Sequence, residues 1–75
     1  MKFLIREAWN HGACWNHRGI HEFATQADAD QWIRENVWEQ DETCWYCDAL
    51  TIEDAIAKRF LPRGFTTENE EVKVH

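Results

Sequence analysis

The sequence predicts an α+β fold: a three-stranded, mainly antiparallel sheet in the order 2-1-3, helices packed on it, and room for a short C-terminal edge strand. Three observations predict this class. Apolar residues near the N-terminus fall on both parities of a strand, apolar residues recur at helical spacing from residue 29, and both patterns are punctuated by turn residues. With 75 residues the chain is long enough for one domain, 1–75, with a tail over 66–75 free to fray. A core of this size gives marginal stability on its own, so five tryptophans and four phenylalanines matter as buried area.

Lys2 to Trp9 reads as the first strand. Phe3, Ile5 and Trp9 share one parity and Leu4 and Ala8 the other, so both sides of the strand carry apolar groups. Asn10-His11-Gly12 signals a turn, and Gly19 marks the far end of a connection holding Cys14 to Arg18. Ile20 to Ala24 is the expected returning strand. The best helix runs from Gln26 to about Glu39, with Thr25 as N-cap and Asp28 complementing the positive helix end. Ala29, Trp32, Ile33 and Val37 make its inner stripe, and Trp38 sits off that stripe. Cys44 to Leu50 then reads as a strand. Thr51 caps a second helix from Ile52 to about Phe60, stopped by Pro62 and Gly64. Glu71-Val72-Lys73-Val74 alternates like an edge strand.

Cys14-Trp15-Asn16-His17 and Cys44-Trp45-Tyr46-Cys47 echo each other, each holding two soft ligands two residues apart. Cys14, His17, Cys44 and Cys47 therefore form a candidate zinc set, with His11 or His21 able to replace His17. The expected topology brings both loops to one end of the domain. Four protein ligands would fill a tetrahedral ion, so the zinc would be structural. Redox chemistry fits less well, because no helix N-terminus follows Cys44 to lower its pKa. The competing reading is that these cysteines serve as small apolar residues.

Charge is unevenly spread. Residues 28 to 54 hold nine acids and one base, a net −8, whereas the remaining 48 residues hold five acids and seven bases, a net +2. The acidic segment repels phosphate and suits a basic protein surface. Glu35, Glu39, Asp41 and Glu42 with Trp38 are the expected partner-binding residues. Size and acidity are analogous to phage and mobile-element products that block host proteins, one form being an inhibitor occupying a nucleic-acid-binding surface. A second expectation is a zinc-stabilised nucleic-acid binder using Trp15, Trp45 and Tyr46, with Arg18, Lys58, Arg59 and Arg63 on phosphates. A third is a small structural subunit. No glycine-rich phosphate loop or nucleophile with a positioned base appears, so no enzyme is expected. The odd cysteine count and the absence of a long apolar run predict a cytoplasmic protein.

Overall fold

Alternation on both parities places β1, Lys2–Trp9, at the centre of the molecule, and the computed structural model shows a strand paired on both sides there. It describes residues 1–9, 14–38 and 46–75. Antiparallel partners are β2, Cys14–Glu22, and β3, Tyr46–Thr51. A fourth strand, β4 (Val72–Val74), pairs in parallel with β2, so Ile20 lies opposite Val72 and Glu22 opposite Val74. The sheet is therefore mixed and four-stranded in the order β3-β1-β2-β4, where three strands in the order 2-1-3 were expected. Pairing of the tail explains the added strand, and the His75 amide extends it by donating to the Glu22 carbonyl at 3.2 Å.

The two parities of β1 face two separate cores. Phe3 and Ile5 pack with Phe23, Cys47 and Ala49 beneath α1, Gln26–Ile33, whose Ala29 and Ile33 face inward. Leu4 meets Ile20 and Ala55, the last from α2, Ile52–Ala57. Leu50, Leu61, Phe65 and Val72 close around that smaller core. Both N-caps form as their sequence implies. Thr25 Oγ1 accepts from the Asp28 amide at 3.1 Å and Thr51 Oγ1 from the Asp54 amide at 3.2 Å.

Three elements depart from expectation. β2 begins at Cys14, so the stretch assigned to a connection is strand. Its first residues are exposed and held by backbone pairing with β1, which leaves no apolar alternation to read. Between Leu4 and Arg6 the register shifts, and Arg18 and Gly19 together oppose Ile5. Gly19 adopts φ +94 in this bulge, a conformation glycine takes without strain. The first helix changes at Arg34 into a π-helical segment, Arg34–Trp38, which buries Val37 and leaves Trp38 39% exposed. The second helix ends at Ala57, short of Phe60. The Phe60 amide donates back to the Ala55 carbonyl (2.8 Å) and the Arg59 amide to the Ile56 carbonyl (3.0 Å), with Arg59 at φ +64. This paired closure of a helix C-terminus ordinarily uses glycine at the position Arg59 holds.

Candidate binding surfaces

The sheet decides where the expected metal ligands go. Cys14 stands opposite Trp9 and His17 opposite Arg6 on β2, three residues apart, so they project to opposite sides of the sheet. Cys47 lies opposite Glu7 on β3 and is only 6% exposed, packed in the core beneath α1. Cys14 and Cys47 come to the same end of the domain, as the topology implied, but on the two strands flanking β1. Two strand spacings, about 10 Å, separate those strands. Cys44 and His11 lie outside the described residues. Among the described residues no three His, Cys, Asp or Glu side chains gather closely enough to hold an ion.

His21 is a core residue instead of a loop ligand. Its ring is 2% exposed and packs against Phe23 and Trp32. His21 Nε2 lies 3.2 Å from the Arg18 carbonyl, which can only accept, so this nitrogen carries the proton. Nδ1 is then the acceptor for His75 Nε2–H at 2.8 Å. The His75 ring also stacks on Phe23, with centroids 4.5 Å apart. Burial holds the His21 pKa below its ordinary value, and the charges of His75, Lys73 and Arg18 add to that, against the opposing effect of its backbone hydrogen bond. Sequence reading assigned His75 no role, because a histidine at that position has no local pattern to announce it.

Asp28 and Asp30 of α1 and Glu35 of the Arg34–Trp38 segment that follows it are exposed. Gln26 donates to Asp30 at 3.0 Å and Gln31 to Glu35 at 3.1 Å, each one helical turn away. Trp38 follows them and lines a cavity of about 320 Å³ with Ile33, Arg34, Tyr46 and Asp48. Asp30 also lines this cavity, and Glu35 and Trp38 are both exposed on the Arg34–Trp38 segment. The other expected partner-binding residues, Glu39, Asp41 and Glu42, lie outside the described residues.

The opposite side of the sheet gathers Trp15 and Tyr46, named from the sequence for base stacking, with Arg6, Asp48 and Phe60, which sequence reading did not place there. Arg6 is 9% exposed and grips Asp48 with two hydrogen bonds, Nε to Oδ1 at 2.9 Å and an Nη to Oδ2 at 2.6 Å. Its guanidinium carbon sits 4.4 Å from the Trp15 ring centre and 3.9 Å from that of Phe60. Trp15 meets Tyr46 edge-on, with centroids 6.0 Å apart. Burial and then the Asp48 carboxylate push the Tyr46 phenol pKa up. Arg6 and Asp48 stand opposite each other on β1 and β3, a register the sequence does not print. Arg18, expected on phosphate, is paired with Glu7.

No helix among the described residues is long and apolar enough to cross a membrane. No protein-family model, curated protein or solved structure matches this chain.

Proposed function

We propose that this protein is a non-catalytic binding module whose acidic α1 face docks on a basic protein surface. The observation that carries the reading is the run of exposed Asp28, Asp30 and Glu35 ending in Trp38, a 39% exposed aromatic beside a small cavity. Carboxylates on such a face steer a basic partner by long-range attraction, and a partly desolvated tryptophan supplies an anchor. Occupying the nucleic-acid site of a host protein, in a cytoplasmic setting, is the concrete form proposed.

A parallel pull-down with wild type and an Asp30→Lys/Glu35→Lys/Trp38→Ala variant tests this. A partner held by wild type at about 50 mM salt should be lost from the variant and released as salt rises toward about 500 mM. Retention by both chains at both salt concentrations overturns the reading.

Zinc is a separate proposal, resting on the Cys14, His17, Cys44 and Cys47 spacing alone. Binding by this set would require β2 to distort between Cys14 and His17, since its pleat aims them apart. Elemental analysis of protein purified without added metal decides it. About one zinc per chain supports the site, and less than about 0.2 removes it.

A further inference from the structure

We propose that the side of the sheet opposite α1 binds single-stranded nucleic acid. Three aromatic side chains are exposed around the Arg6 guanidinium: Trp15 at 47%, Tyr46 at 41% and Phe60 at 38%. The Leu4, Ile20 and Ala55 core underlies the other half of this side, so these rings lie beyond the part that α2 covers. Arg6 is itself neutralised by Asp48 and serves to hold the rings in place.

Positive charge for the phosphates comes from the loop after α2. Lys58, Arg59 and Arg63 are exposed, and their side chains form no salt bridge among the described residues. Phe60 joins the two features, because it touches Arg6 and also lines a cavity of about 690 Å³ with Arg59, Leu61, Pro62 and Arg63.

Exposed rings beside exposed cations match a chain whose every unit offers one ring and one charge. A duplex hides those rings in its stack, so an unpaired strand is the form that can offer them to Trp15, Tyr46 and Phe60. Of the α1 acids, Asp30 lines a cavity with Tyr46 and Asp48, so the phosphate path runs from Trp15 over Phe60 to the cations of the α2 loop, away from that end.

The test is fluorescence anisotropy with labelled dT15, U15 and a 15-base-pair duplex at about 50 mM salt. We expect micromolar binding of one or both single strands, with the two arms telling DNA from RNA preference. Three phosphate contacts predict a log–log salt slope of about −2. Arg59→Gly/Arg63→Ala should weaken binding at least tenfold and flatten that slope, and Trp15→Ala should weaken it roughly tenfold. Arg63→Ala alone, on an exposed loop, keeps the test valid if Trp15→Ala unfolds. The α1 charge reversals should not weaken this binding, so its failure and that of the protein-docking reading are separately visible. No single-strand binding up to about 200 μM, equal binding of duplex, or stronger displacement by polyglutamate than by oligonucleotide overturns the proposal.

Discussion

Replacing Arg59 with glycine removes a side chain from the surface and should make the protein more stable. Arg59 sits at φ +64 where the second helix closes, its amide bonded to Ile56 and the next amide to Ala55. A Cβ in the left-handed region costs about 1–2 kcal/mol, which glycine avoids. Glycine also gains freedom in the unfolded chain, which takes back about 0.4–1 kcal/mol. The net expectation is a gain of about 0.5–1 kcal/mol. For a domain of this size that raises Tm by roughly 3–6 °C. The lost side chain subtracts little, since it is exposed and in no salt bridge among the described residues. Urea unfolding followed by tryptophan fluorescence measures the difference, with Arg59→Ala as the control that keeps the Cβ. Unchanged or lower stability for Arg59→Gly relative to Arg59→Ala would refute the assignment of strain to this position.

Asp48→Ala should destabilise by about 3 kcal/mol, read by urea midpoint, because it leaves the Arg6 guanidinium buried without its carboxylate. Arg6→Met/Asp48→Leu should recover most of that loss. His21 has a folded pKa lowered from 6.5, so the unfolded chain takes up the proton first as pH falls. The His21 contribution to stability is therefore full above about pH 6.5 and declines as pH drops below it; His21→Leu should flatten the unfolding midpoint between pH 7.5 and 5.5. In native protein Cys14, exposed, should react with a thiol reagent within the mixing time, while Cys47, at 6% exposure, should react only as the protein opens.

How much of this was legible follows from which forces write a local pattern. Phe3 and Ile5 against Leu4 and Ala8 announced a strand between two cores, and both cores exist. Thr25 and Thr51 announced helix starts because an N-cap is a local hydrogen bond between near neighbours. Cys14 to Arg18 hid a strand, since β1 supplies its backbone bonds from across the sheet and its side chains stay exposed. Cys14 and His17 were expected in a connection between two strands, and the pleat of β2 found there separates the two side chains. Arg6, Asp48, Trp15 and Phe60 are spread over more than fifty positions, so only the register of three strands and a loop assembles them. Trp38 was singled out for falling off its helical stripe, and it stands 39% exposed at the end of the π-helical segment.

The short β4 strand has a consequence for how crowded copies of this chain behave. It covers three of the nine β2 residues and leaves Cys14 to Gly19 with no strand on that side among the described residues. A bare edge is a template on which another chain can pair. Here the Arg18–Gly19 bulge breaks the straight run, and His17 and Arg18 make a mismatched seat for a second copy. A net charge of −6 at neutral pH keeps copies apart as well. That second safeguard vanishes as pH approaches the isoelectric point near 5.0, where His21 also favours the unfolded chain. Concentrated protein should thus stay clear at pH 7.5 and turn cloudy near pH 5, with turbidity reversed on return to neutral pH if the bulge still bars ordered growth.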